Sequence, residues 1–394
     1  MIQEAEALEQ ILAQVHPLPA RLVPLAQALD CYAARDVYAT LSLPPFDNSA
    51  MDGYAIVASS SAAGARLKVV GEQPAGRDRG LALRGGEALR IFTGAPLPQG
   101  ADAIVMQEDV TPRDGEIELS EKVAAGEFVR RRGGDIAEGQ KIFSAGERIR
   151  PQTLALFAAQ GMNAMEIGGA VRAAIISTGD ELAVPGSKLH PGQIYESNSA
   201  LLEALLWRLG VKVASVVHCA DQAEEIESAV RAAATSSDAL IISGGVSVGA
   251  RDFVKPALAA AGASLDLWRV AVKPGKPFLF GRTERCAIFG LPGNPVSAFV
   301  TFLLFVRPAL LRMMSAQGDA LALPQTRARV SEEISNPGDR PHYLRGVQRG
   351  EVFTPVGRQE SHALFGLSRS NALLLVPAGG RLAAGETANV FTWE

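Results

Sequence analysis

Five apolar runs, each emptying into a loop rich in glycine, proline and charge, occupy residues 171–295. VRAAIIS (171–177) leads into STGDEL (177–182), VKVASVVH (211–218) into HCADQ (218–222), ALIIS (239–243) into SGGVSVG (243–249), LDLWRVAV (265–272) into KPGKP (273–277) and CAIFG (286–290) into GLPGNP (290–295). Helical periodicity follows four of these loops, and strands that alternate with helices predict a mostly parallel, doubly wound sheet. In such sheets ligands bind at the carboxyl ends of the strands. Function is therefore sought in these loops.

Outward from this segment the texture changes. Residues 1–42 and 140–170 read as a helical stalk, with apolar residues at helical spacing from Ile2 to Val15 and a second helix opening at Pro151. Turn signals every eight to twelve residues mark 43–139 as an inserted β-rich domain. The doubly wound unit spans 171–322, and the runs after it predict a small closed or semi-closed β domain over 323–394. The fold class is multidomain α/β plus β.

Composition excludes several functions. With 394 residues and 47% apolar content there is material for several cores, whereas a net charge of -4 and a pI near 5.9 give no field for a polyanion. The run Arg130, Arg131, Arg132 is the local exception. Cys31, Cys219 and Cys286 are odd in number and widely spaced, which argues against a disulfide framework or zinc site and for a reducing cytoplasm. The acidic start (Glu4, Glu6, Glu9) is unlike an export signal, and the run from Ala298 to Val306 is too short to cross a bilayer.

The loops carry chemistry. Gly244, Gly245 and Gly249 let backbone N–H groups approach an anion, although a tight strand-to-helix turn explains them equally well. Lys273 and Lys276, stiffened by prolines, suit a phosphate or oxyanion. Pro295 is preset for the first turn of the helix after GLPGNP, and Asn294 is either its cap or part of a ligand wall. Asp180, Glu181, Asp221 and Asp252 all fall at strand exits. Carboxylates facing phosphate-binding lysines suit a Mg²⁺ ion bridging protein and phosphate. In the inserted domain, FDNSAMDGYAI gathers Asp47, Asn48, Ser49 and Asp52 in a knot that would also make a simple turn, and Thr93 and Asp135 add polar groups. His16, His190, His218, His342 and His362 show no metal-ligand spacing.

Together FDNSAMDGYA, TGAP, the RRRGGDI segment, STGDEL, SGGVSVG, KPGKP and GLPGNP, in this order over nearly the whole chain, resemble the molybdopterin molybdenumtransferase family, the MoeA type related to the gephyrin E domain. The resemblance implies a homodimeric enzyme that inserts molybdenum from molybdate into adenylylated molybdopterin with Mg²⁺, releasing AMP and molybdenum cofactor. It further implies that Asp180, Glu181, Asp221 and Asp252 surround the dinucleotide and metal, and that Gly244, Gly245, Ser247, Gly249, Lys273, Lys276, Pro292 and Pro295 bind substrate. Asp52, Thr93 and Asp135 would complete the site of the partner subunit. Molybdopterin adenylyltransferase and molybdoenzyme chaperones are implied as further partners. The chain departs from the family pattern at Ala250, Arg251 and Phe253 after the glycine loop and at Gly134. Molybdopterin adenylyltransferase activity and a gephyrin-like, non-catalytic scaffold are the alternative readings.

Overall fold

A computed structural model describes residues 1–246 and 253–393, so Ser247, Gly249, Ala250, Arg251 and Asp252 lie outside the described residues. Arg172–Thr178 (β1), Lys212–Cys219 (β2), Ala239–Ser243 (β3), Ser264–Trp268 (β4), Leu279–Arg282 (β5) and Ala287–Leu291 (β6) form one sheet in the order β2-β1-β3-β6-β5-β4. β2, β1, β3 and β6 are parallel, whereas β5 runs antiparallel to both β6 and β4. Two reversals leave β4 pointing the same way as β6. KPGKP therefore leaves the same end of the sheet as the other loops, but at its outer edge.

The unbroken apolar runs have a physical cause. Ile175, Ile241 and Phe289 enter one core, and their neighbours Ile176, Ile242 and Ile288 enter the core on the opposite face. A strand covered on both faces has no polar side to alternate with. Helices Asn198–Arg208 (α1), Ala223–Ser236 (α2), Val254–Ala260 (α3) and Pro295–Thr301 (α4) follow their loops. The helical run from α4 continues to Met313 and is 89% buried. It is long and apolar enough to cross a membrane, but its burial marks it as a core helix. The apolar run named in the sequence is only part of it.

The C-terminal β domain closes into a five-stranded barrel. Val330, Leu344, Phe353, Leu374 and Val390 fill its interior. The inserted domain is built on a six-stranded sheet in which Ala103–Met106, Gly53–Ile56, Glu87–Ile91, Arg66–Gln73, Glu116–Leu119 and Val110–Arg113 are successive neighbours.

Compactness divides the chain into two units, one of residues 1–35, 145–154 and 164–394, the other of 36–144 and 155–163. These boundaries differ from those of a separate stalk, and packing explains the difference. The N-terminal helix Glu4–Gln14 sends Ala7 and Ile11 into the core that holds Val306 and Leu310. Phe157, from the helix Pro151–Ala159, packs edge-on against Phe143 at 5.4 Å in the other unit's share of the chain.

Candidate functional site

A cleft of about 610 Å³ opens at the carboxyl ends of β1, β3 and β6. Its walls include Thr178, Glu181, Asn198, Asp221, Gly244, Gly245, Pro292 and Pro295. The sheet dictates this gathering, because parallel strands deliver their outgoing loops to one edge.

Glu181 is held by local backbone. Its carbonyl accepts the Ile194 N–H at 2.8 Å, and the Leu182 N–H closes a turn onto the Gly179 carbonyl at 3.2 Å. Gly179 (φ 147°) lies beneath the Glu181 carboxylate, where an added Cβ would stand 2.5 Å from Oε2. Asp180 turns toward the neighbouring loop, and its Oδ1 accepts the Asp221 N–H at 3.0 Å. It couples two loops rather than lining the cleft.

The glycine pair is equally constrained. Gly244 (φ 92°) passes so close to β1 that a Cβ would meet the Thr178 carbonyl at 2.6 Å, and its N–H donates to the Leu291 carbonyl of β6 at 3.2 Å. The tight turn and the close backbone approach by themselves account for glycine at this position.

Asn198, at the start of α1, carried no role in the sequence reading. Its amide Nδ2 donates to Ser243 Oγ at 2.8 Å and to the Gly293 carbonyl at 2.7 Å, tying the helix to two loops. The carbonyl of Gly293 can only accept, which fixes the amide orientation and leaves Asn198 Oδ1 as an acceptor. Asn198 Oδ1 and Thr178 Oγ1 are buried without a hydrogen-bond partner among the described residues. An orphaned buried polar atom costs about 1–3 kcal/mol, so these two make the wall of the cleft locally unfavourable unless a further group satisfies them. The signal available in the sequence was the polar stretch Glu196–Ser199 at the entry to the helix. His362 also lines the cleft.

The lysines lie elsewhere. Lys273 and Lys276 are not among the cleft's lining residues, although Pro277 is. The Lys273 N–H donates to the Pro341 carbonyl at 2.9 Å and its carbonyl accepts the Tyr343 N–H at 2.8 Å, so the loop is stitched to the barrel. Beside it, burial and the charge of Lys273 push His342 down to about 4.

In the inserted unit the polar knot resolves into separate jobs. Asp52 Oδ1 accepts the Thr93 N–H (2.7 Å) and hydroxyl (2.8 Å), which together lower the Asp52 carboxyl below its usual range, the backbone bond most. Asp47 is held by the Arg132 N–H and by Arg131 at 2.7 Å. The Ser49 hydroxyl closes a local turn onto the Met51 carbonyl at 2.6 Å. Asp135 is exposed, its N–H donating to the Leu43 carbonyl. At Gly134 a Cβ would come within 3.1 Å of the Arg131 carbonyl.

Known proteins carry the same architecture. Residues 2–161 match the MoeA N-terminal region (domain I and II), 174–312 the probable molybdopterin binding domain and 327–393 the MoeA C-terminal region (domain IV). Molybdopterin molybdenumtransferase of Haemophilus influenzae is 35% identical, across 99% of this chain and 98% of the relative. The chain belongs to the molybdopterin molybdenumtransferase family. Molybdopterin molybdenumtransferase 2 of Mycobacterium tuberculosis is 38% identical over 90% of each chain. The crystal structure of the molybdopterin biosynthesis MoeA protein from Pyrococcus horikoshii superposes with a TM-score of 0.87 over 100% of both chains, at 27% identity. The family's motifs thus fall on strand exits of this sheet and on the inserted unit.

Proposed function

We propose that this chain is a transferase that inserts molybdenum from molybdate into adenylylated molybdopterin, releasing AMP and forming molybdenum cofactor. The observation that carries this reading is the meeting of Glu181, Asp221, Gly244, Gly245, Pro292 and Pro295 around one cleft in a chain that matches the family from end to end. The paired glycines leave room for a phosphate at the backbone, and Glu181, fixed by its own turn, orients the polar end of the substrate.

Mg²⁺ fits this donor set. Among the described residues no group of three or more His, Cys, Asp and Glu could hold a metal by itself. Mg²⁺ keeps several waters and takes one or two carboxylates together with substrate phosphate oxygens. Glu181 and Asp221 would hold it, with Asp180 fixing the Asp221 loop. When bound, the ion would neutralise charge on the pyrophosphate. Lys273 and Lys276 are proposed to meet the oxyanion at the edge of the sheet, and Asp252, Ser247 and Gly249 keep the roles that the resemblance gives them.

The protein is proposed to act in the cytoplasm as a homodimer in which Asp52, Thr93 and Asp135 serve the partner's cleft. Adenylyltransferase activity is disfavoured because the chain carries both MoeA-specific regions beside the molybdopterin binding domain. Purified protein given adenylylated molybdopterin, Mg²⁺ and molybdate should release AMP in proportion to molybdate and restore apo nitrate reductase. Release of AMP that ignores molybdate, or none, would reject the reading.

A further inference from the structure

The bonds around Asp52 continue beyond Thr93. The Gln107 N–H donates to the Asp52 carbonyl at 3.2 Å, and Gln107 Oε1 accepts from the Arg90 guanidinium at 2.5 Å. Arg90 is itself confined. Its guanidinium carbon lies 5.0 Å from the ring centre of Tyr54 and 5.4 Å from that of Phe92. Tyr54 is the cross-strand partner of Arg90, and Phe92, two residues along, leaves the chain on the same face. Two rings attract the cation and restrict its plane, so the hydrogen bond to Gln107 is made by a guanidinium that is already oriented.

We propose that Arg90 is the positioning residue for Asp52: through Gln107 it fixes the turn that carries the carboxylate, and it sets a positive charge beside it. This rests on the reading above, in which Asp52 serves the reaction. Other charged groups are close but engaged differently. Glu108 Oε1 accepts from Gln107 Nε2 at 3.1 Å, and Arg130 reaches the Ala50 carbonyl at 3.5 Å. The Thr93 bonds lower the Asp52 carboxyl most, and the charge of Arg90 adds a smaller effect in the same direction. An arginine that merely clamps strands would stabilise the sheet without altering what Asp52 does.

Arg90→Met separates the two roles, because it keeps an apolar stem between the rings and removes the guanidinium. Two measurements decide. The first needs no activity: the titration midpoint of Asp52, followed by carboxyl carbon-13 NMR, should rise in Arg90→Met and return part of the way in Arg90→Lys. An unchanged midpoint overturns the inference. The second is a double-mutant cycle on molybdate-dependent AMP release, in which Arg90→Met should lower kcat by about tenfold in the wild-type background and by less than about twofold in Asp52→Asn, with little change in KM. Equal losses in both backgrounds, or no loss, overturn it. If wild type itself releases no AMP, the functional reading fails and the NMR titration alone judges Arg90. Where Arg90→Met lowers the melting temperature, Gln107→Ala removes the same hydrogen bond while the guanidinium charge stays, so it should show the same background-dependent loss of kcat with a smaller rise of the Asp52 midpoint, and equal losses of kcat in both backgrounds overturn the inference.

Discussion

Asp52 and Thr93 are 41 residues apart in sequence, yet one carboxylate oxygen of Asp52 accepts both the backbone N–H and the hydroxyl of Thr93. The bonds join FDNSAMDGYA to TGAP, two motifs that in the sequence are unrelated polar turns. They also keep Asp52 ionised at acidities where an ordinary aspartate takes a proton. The carboxylate so held is exposed.

Placement across a dimer can be tested by complementation. Homodimers of Asp52→Ala and of Glu181→Ala should each be nearly inactive, because each lacks one half of every site. After subunit exchange, half of the dimers are mixed, with one site carrying both substitutions and the other neither. About a quarter of wild-type activity should then return. Exchange confirmed by native mass spectrometry without recovery would place Asp52 in its own subunit's chemistry.

Glu181→Ala should fold and assemble as wild type, since the Glu181 side chain is exposed and its turn is made by backbone bonds. AMP release should drop at least tenfold, the scale of one lost charge-assisted contact of about 1.5–3 kcal/mol. Wild-type turnover would remove Glu181 from the site.

Asn198→Leu keeps the number of side-chain heavy atoms, though its methyl groups are bulkier than the amide, and strands the Gly293 carbonyl and Ser243 hydroxyl. Urea unfolding should show a loss of about 1–3 kcal/mol, and KM for the adenylylated substrate should rise as the helix and the two loops lose their common tie. A variant of unchanged stability and unchanged KM would show that Asn198 holds nothing.

His342 gives a pH signature. Its folded value, near 4, lies below the unfolded 6.5, so the unfolded chain binds the proton first. Its contribution is present above pH 6.5 and is lost as pH falls toward 4. At about 1.4 kcal/mol per pH unit, the loss is at most about 3 kcal/mol. In urea titrations across this window wild type should weaken more steeply than His342→Gln, and parallel slopes would contradict the buried neutral imidazole.

Much of this protein was legible in its residues. The runs 171–177, 239–243 and 286–290 announce strands buried on both faces, and the glycines and prolines after them announce the loops. Short-range sterics and burial act within a few residues, so their imprint is local. The closed C-terminal barrel follows from similar runs, and the ordered motifs identify the family.

Partnerships between distant residues left no such imprint. That KPGKP stands at the sheet's edge, stitched to Pro341 and Tyr343, depends on the order of strand pairing, in which β5 reverses between β6 and β4. That Asn198 ties Ser243 to Gly293, and that Arg90 lies between Tyr54 and Phe92 beside the Asp52 turn, depends on which elements pack together. Local sequence determined where chain could turn and which faces had to be buried. Only tertiary pairing decided which polar groups met, because a hydrogen bond is won or lost over tenths of an ångström while a hydrophobic pattern tolerates whole residues of slack.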